Sequence, residues 1–155
     1  MPKEIERKFL VSGDGWKSLV EKRISIRQGY IARGGDCSVR IRETGETAFL
    51  TIKSGARGLE RDEYEYEIPS QHAEQMLRDF SGGAVLEKTR HVAPWKGCTW
   101  EVDEFHGGHA GLILAECELQ SADQAITLPE WIGREVTDDP AFGNEQLARA
   151  LLKNS

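Results

Sequence analysis

The sequence predicts a mainly β, α+β protein: one antiparallel sheet of about eight strands, closed or nearly closed into a barrel, with a few flanking helices. Two observations predict it. Strand-length segments separated by glycine-containing turns dominate the chain, and stretches with helical periodicity are few. Segments 4–9, 39–42, 63–68, 88–91, 101–105 and 116–119 also alternate charged with apolar residues. A strand repeats every second residue, so Glu4, Glu6 and Lys8 point one way while Ile5 and Phe9 point the other.

In chain order, the first strand is followed by a turn at residues 13–15, and Trp16, Leu19 and Val20 fit a short amphipathic helix. Residues 24–32 read as a strand, Gly34-Gly35 turns the chain into a strand over 38–43, and Thr44-Gly45-Glu46 closes a hairpin onto 48–53. A loop at 55–58 precedes the long acidic strand that Pro69 ends. Ser70 is placed to cap a helix with Ala73, Met76, Leu77 and Phe80 on its apolar face, and Gly82-Gly83 stops it. Strands resume at 85–93, 99–105 and 112–120, with His106-Gly107-Gly108-His109 as a turn between two of them. A short helix from Ser121 and a final helix from Asn144, carrying Leu147, Ala148, Leu151 and Leu152, complete one domain over residues 1–155.

Composition narrows the function classes. The chain is 39% hydrophobic and 30% charged, which suits a globular domain of ordinary core size. Its net charge of −6 argues against a nucleic-acid partner, although basic residues occur in tight pairs. The cysteines, Cys37, Cys98 and Cys117, are odd in number and far apart, so neither a disulfide scaffold nor a zinc knuckle is expected and a reducing cytoplasm is the natural location. A charged first strand is no signal peptide, and no apolar run is long enough to cross a bilayer, so no membrane partner is expected.

The charged faces carry the chemistry. A single charged strand face is ordinarily the solvated side of a half-buried sheet. So many alike in a small domain favour another arrangement: Ile5, Phe9, Val39, Ile41, Tyr64, Tyr66, Val102 and Leu119 face outward under helices, and the charges line the interior. Arg40 and Arg42, like Lys88 and Arg90, emerge ~7 Å apart on one face. Their repulsion is roughly 0.6 kcal/mol in water and roughly 2.4 kcal/mol at an effective dielectric of about 20. An enclosed site therefore needs an anionic ligand or facing carboxylates. The acid pairs Glu4/Glu6, Glu63/Glu65 and Glu116/Glu118 have the mirror problem, which hard divalent cations such as Mg²⁺ or Mn²⁺ relieve. No P-loop motif is present, and Trp95, Trp100 and Trp131 read as packing residues.

Glu4-Ile5-Glu6-Arg7-Lys8 matches the ExExK signature of the CYTH superfamily, the triphosphate tunnel metalloenzymes. The chain resembles that family through Arg40-Ile41-Arg42, Thr51-Ile52-Lys53, Arg61-Asp62-Glu63-Tyr64-Glu65, Lys88-Thr89-Arg90, Trp100-Glu101-Val102-Asp103, Ala115-Glu116-Cys117-Glu118-Leu119 and Gly133-Arg134-Glu135-Val136-Thr137. The resemblance implies an eight-stranded antiparallel tunnel that grips a linear triphosphate and holds divalent metal. By position, Lys8, Arg40, Arg42, Lys53, Lys88 and Arg90 would bind phosphate and take part in catalysis, with Arg61 as a further substrate contact. Glu4, Glu6, Glu63, Glu65, Glu116 and Glu118, joined by Asp103, would form the metal set. The helix from Asn144 would plug or gate one mouth. Asp139-Pro140-Ala141-Phe142 departs from the pattern, since many relatives have a basic residue and a tyrosine there.

The resemblance implies metal-dependent hydrolysis of a small-molecule triphosphate. Because the chain shows no inserted segment to hold a base or thiamine, inorganic tripolyphosphate is the expected substrate. Thiamine triphosphate or nucleotide hydrolysis, ATP cyclisation and non-catalytic polyphosphate binding are the alternatives. The family also makes a homodimer plausible.

Overall fold

Residues 3–33, 37–54 and 60–153 are described by the computed structural model, with side chains at all of these except Lys3, Glu4, Arg33, Glu60, Arg61, Leu152 and Lys153. The turn expected at Gly34-Gly35 and the loop expected at 55–58 lie outside the described residues. The strands are β1 (Lys3–Val11), β2 (Lys22–Arg33), β3 (Cys37–Glu43), β4 (Ala48–Ser54), β5 (Glu60–Ile68), β6 (Val85–Trp95), β7 (Cys98–Phe105), β8 (Ile113–Glu118) and β9 (Ile132–Glu135). Helix α1 (Ser70–Phe80) follows β5, and α2 (Asn144–Lys153) ends the described chain.

The strand order is β5-β4-β3-β2-β6-β7-β8-β1-β9. β1 also pairs with β5, through Lys3↔Asp62, Glu4↔Arg61 and Ile5↔Glu60. These pairs bring the two ends of the order together, so β1 to β8 enclose a tunnel and β9 lies on β1 beyond them. Residues directly opposite one another in a ladder share a face. The register therefore carries one face around the ring, from Glu6↔Glu118 and Lys8↔Glu116 to Glu101↔Glu116, Arg90↔Asp103, Arg42↔Gln28, Arg40↔Thr51, Thr51↔Glu65 and Lys53↔Glu63. This is the charged face, and it points inward.

The apolar face is outside, and most of it is covered by what the chain wraps over it, Ile52 of β4 and Tyr66 of β5 being left exposed. Phe9, Trp100, Val102, Ala115 and Leu119 pack with Trp16 and Trp131 from the connecting segments. Ile41 and Ala48 pack with Ala73 and Leu77 of α1, where burial of a leucine contributes roughly 1.5–3 kcal/mol. α1 sits close on β2 at Gly29, where a Cβ would meet Leu77 Cδ2 at 3.0 Å. A third cluster closes one end of the tunnel: Tyr30, Leu86, Phe105 and Leu114 pack with Leu147 and Ala148 of α2.

Several local expectations need correction. The segment after Trp16 is a single 3₁₀ turn, Lys17–Leu19, and Trp16 alone is fully buried. Ser70 does not cap α1: it is the helix's first residue, Pro69 precedes it in extended backbone, and no side chain caps. Phe80 is 62% exposed and lies off the packed face. Residues after Ser121 form a turn, because Ser121 Oγ bonds Asp123 and Gln124 Oε1 takes the Gln120 amide, local bonds that compete with a helix. Cys98 and Cys117 form a disulfide, contrary to expectation. Sequence spacing reads only local pairs, whereas these two lie diagonally across the β7–β8 ladder, where Trp100 is opposite Cys117. Cys37 is free. The turn at 106–109 is present as a 3₁₀ turn, Gly107–His109, whose His109 Nε2 contacts the Leu147 carbonyl of α2 at 2.7 Å. No helix among the described residues is long and apolar enough to cross a membrane.

Candidate active site

The inner wall separates into a deeply buried part and a more exposed mouth. On β6 and β7, Lys88 and Asp103 are each 1% exposed. Asp103 Oδ2 accepts from Lys88 Nζ at 2.7 Å and from Arg90 Nη2 at 2.9 Å, while Oδ1 accepts from Arg90 Nε at 2.8 Å. Both oxygens are thus engaged by cations. Lys88 Nζ also lies 5.4 Å from the centre of the Phe105 ring, which packs in the cluster with Leu147 and Ala148 of α2. Burial lowers the Lys88 ammonium to about 8, opposed by Asp103 and reinforced by Arg90 and Arg42. Burial alone would raise Asp103, but Lys88 and Arg90 overcome it and leave the carboxyl lowered.

On β3 and β4, Arg40 donates to Thr51 Oγ1 at 3.3 Å and stands 3.7 Å from Glu65 and 4.0 Å from Glu63. Thr51 in turn donates to Glu65 at 3.0 Å. Arg42 differs from the other cations. Its Nε donates to the amide oxygen of Gln28 at 3.2 Å, and burial, with Arg40 and Arg90 adding repulsion, lowers it to about 10. Lys53 on β4 is opposite Glu63 of β5 in register.

The acids gather on β1, β7 and β8. Glu116 is 8% exposed and lies 3.6 Å from Lys8 Nζ. Burial would raise its carboxyl, yet Lys8, Arg90, a hydrogen bond with Glu6 and Lys88 hold it well below the usual carboxylate range. Glu118, opposite Glu6, is exposed at the mouth. Glu101, opposite Glu116, is pushed up by burial and by the charges of Glu116 and Asp103, against the pull of Arg90 at 3.5 Å. Among the described residues no three carboxylates, histidines or cysteines converge as a ready metal cage. The donor set nevertheless fits a hard divalent ion: Glu6 and Glu116 meet, and Glu118 and Glu101 adjoin them in register, all with the oxygen donors such an ion prefers.

The structure therefore brings Lys8, Arg40, Arg42, Lys53, Lys88, Arg90, Glu6, Glu63, Glu65, Asp103, Glu116 and Glu118 onto one inward face. Glu4 and Arg61 are opposite each other in the β1–β5 ladder, with side chains outside the described residues. Sequence reasoning missed Glu101, although its alternation with Asp103 was readable, and it missed Gln28 and Thr51, whose neutral side chains do not stand out in a charged pattern. The Asp139–Phe142 departure is filled by backbone: the 3₁₀ turn Pro140–Phe142 places the Phe142 carbonyl 3.1 Å from Lys8 Nζ.

A tunnel lined with paired bases and carboxylates defines a class of phosphate-handling β-barrel. The CYTH domain model matches residues 2–147, and the chain belongs to the CYTH family. It is 47% identical to an inorganic triphosphatase of Acetivibrio thermocellus, over 99% of this chain and 98% of that protein. It is 40% identical to an inorganic triphosphatase of Nitrosomonas europaea, over 96% of this chain and 98% of that protein. The crystal structure of an inorganic triphosphatase superposes with a TM-score of 0.66 at 38% identity, covering 94% of this chain and 97% of that one.

Proposed function

We propose that this protein is an inorganic triphosphatase that hydrolyses tripolyphosphate to pyrophosphate and phosphate inside the tunnel, with Mg²⁺ or Mn²⁺. The single observation that carries this reading is the buried Lys88–Asp103–Arg90 group beside Arg42, a set of cations held by hydrogen bonds in a buried wall. Phosphoryl transfer asks for positioning and charge neutralisation more than covalent chemistry. Lys88, Arg90, Arg42 and Arg40 orient the phosphate chain and stabilise charge on the leaving pyrophosphate. Lys8, between Glu116 and the Phe142 carbonyl, holds a terminal phosphate near the acids. Glu6, Glu116, Glu118 and Glu101, with Glu4, Glu63 and Glu65 as the resemblance adds, would hold divalent metal. When bound, the metal neutralises phosphate oxygens and lowers the pKa of water. Asp103 acts in this reading through the two cations it binds, although the resemblance groups it with the metal set. Arg61 remains a candidate substrate contact.

A cytoplasmic location is supported by the free Cys37, and the buried Cys98–Cys117 pair is the observation against it; thiol counting by mass spectrometry on alkylated cell extract decides. A homodimer is supported by the uncovered outer face of β4 and β5, where Ile52 is 36% and Tyr66 57% exposed; light scattering decides. The activity is tested by phosphate release from tripolyphosphate, ATP and thiamine triphosphate in parallel, with Mg²⁺, with Mn²⁺ and with chelator. Metal-dependent release fastest from tripolyphosphate is expected. Cyclic AMP from ATP, or no turnover of tripolyphosphate by folded protein, would overturn the assignment.

A further inference from the structure

Gln28 lies on β2, opposite Arg42 of β3 and Leu86 of β6, with no exposed surface. Its amide orientation is fixed by chemistry. Arginine offers only donors, so the oxygen of Gln28 must face Arg42 Nε, which it does at 3.2 Å. The amide nitrogen is left with no hydrogen-bond partner. Arg42 makes no ion pair among the described residues. Of two adjacent groups on the inner face, the neutral one therefore has a buried donor without an acceptor, and the cationic one holds its charge against a neutral oxygen with no anion beside it among the described residues. A residue kept only for packing between Tyr30 and Leu86 would not carry two buried donors, because an unmet donor costs more than an apolar side chain of the same shape. A phosphate oxygen is acceptor-only and satisfies both groups at once. A neutral donor also adds grip without adding to the repulsion among Arg40, Arg42 and Arg90.

We propose that Gln28 is a further substrate-contacting residue, its amide nitrogen donating to the same phosphate that Arg42 holds. This rests on the tunnel reading above. Gln28→Met keeps the volume and removes both hydrogen bonds. Gln28→Glu keeps the acceptor for Arg42 and replaces the donor with an oxygen. The measurements are steady-state kinetics with tripolyphosphate and Mg²⁺, and melting temperature with and without the same ligand pair. For Gln28→Met the expected result is a KM raised about tenfold, the change of one hydrogen bond to a charged group. Its ligand-free melting temperature sums two opposed changes, the removal of an unmet donor and the loss of the acceptor for Arg42 Nε, and its ligand-induced rise should be reduced. Gln28→Glu should lose more affinity than Gln28→Met, and it carries the test if Gln28→Met does not fold. A wild-type KM in Gln28→Glu would mean that Gln28 only orients Arg42 and would overturn the inference. So would a lower ligand-free melting temperature with an unchanged ligand-induced rise, which marks a structural role. If wild type itself shows neither turnover nor a ligand-induced rise, the tunnel reading fails and this inference with it.

Discussion

The two walls that meet at β2 and β6 hold their cations in opposite ways. On the β6–β7 side, Lys88 and Arg90 share a buried carboxylate, Asp103, at 2.7 to 2.9 Å. On the β2–β3 side, Arg42 leans on a neutral amide and has no carboxylate partner among the described residues. The first arrangement is self-sufficient before any ligand arrives, so it fixes geometry. The second is incomplete, and only an anion completes it. One tunnel thus combines a preformed frame with an unsatisfied grip, which is how a site spends little reorganisation on binding while still favouring the charged ligand over water.

The sharpest way to break this comparison is to remove the shared acid. Asp103→Asn leaves two buried cations without compensating charge, and breaking a buried ion pair costs about 3–5 kcal/mol. Thermal or urea unfolding should show that loss, and turnover should fall by at least about a hundredfold, which is roughly 2.7 kcal/mol of transition-state stabilisation. Full stability in Asp103→Asn would mean that Lys88 and Arg90 are not anchored as observed. Arg42→Met is the counterpart. It removes a cation repelled by Arg40 and Arg90, so stability should hold or rise. Affinity for tripolyphosphate should nevertheless fall about 10- to 100-fold, the range for a hydrogen bond to a charged group. A destabilised Arg42→Met would erase the distinction between the walls.

The sequence made the inward face legible because it obeys the period of two: Arg40 with Arg42, Lys88 with Arg90 and Glu116 with Glu118 could be placed on one side without knowing the ring. The strand order and the β1–β5 pairing were not legible, since alternation gives a strand its faces but not its neighbours. β9 has only four residues, and its partner is more than a hundred positions away, so no local signal announces it. The disulfide was hidden for the same reason. Gln28 was missed because a neutral residue is conspicuous only once its neighbours are known. Pairing also adds what a resemblance leaves out: only the ladder with β6 shows both Asp103 oxygens accepting from Lys88 and Arg90.

A titration sharpens the comparison at smaller amplitude. The free Lys88 ammonium is lowered to about 8, because burial outweighs the help of Asp103. Its charge is present below that value and lost above it. kcat/KM for tripolyphosphate, which reports the free enzyme, should therefore fall as pH rises through about 8, by up to tenfold per unit. The stability sign is the reverse. A base whose folded pKa lies below its unfolded value of 10.5 weakens the fold at low pH, and that penalty lifts between about 8 and 10.5. An alkaline limb that survives in Lys88→Arg, whose charge does not titrate there, would assign the effect to another group.

The smallest effect should come from the outside of the barrel. Arg7 donates to both oxygens of Glu135 at 2.9 and 2.7 Å, and Thr137 adds a third bond, tying β9 to β1. The geometry is better than that of Arg40 with its acids, but the Glu135 side chain is 37% exposed. Solvent screens such a pair to about 0.2–1 kcal/mol. The hydrogen bond from Arg7 lowers Glu135, so its contribution is present above the ordinary carboxylate range and is lost as pH falls through the lowered value. Glu135→Gln should thus cost under about 1 kcal/mol at neutral pH, with no difference from wild type once both are acidified. A loss as large as that of Asp103→Asn would mean that β9 and the Lys8–Phe142 contact beyond it hold the tunnel together, and that the buried frame is not where stability resides.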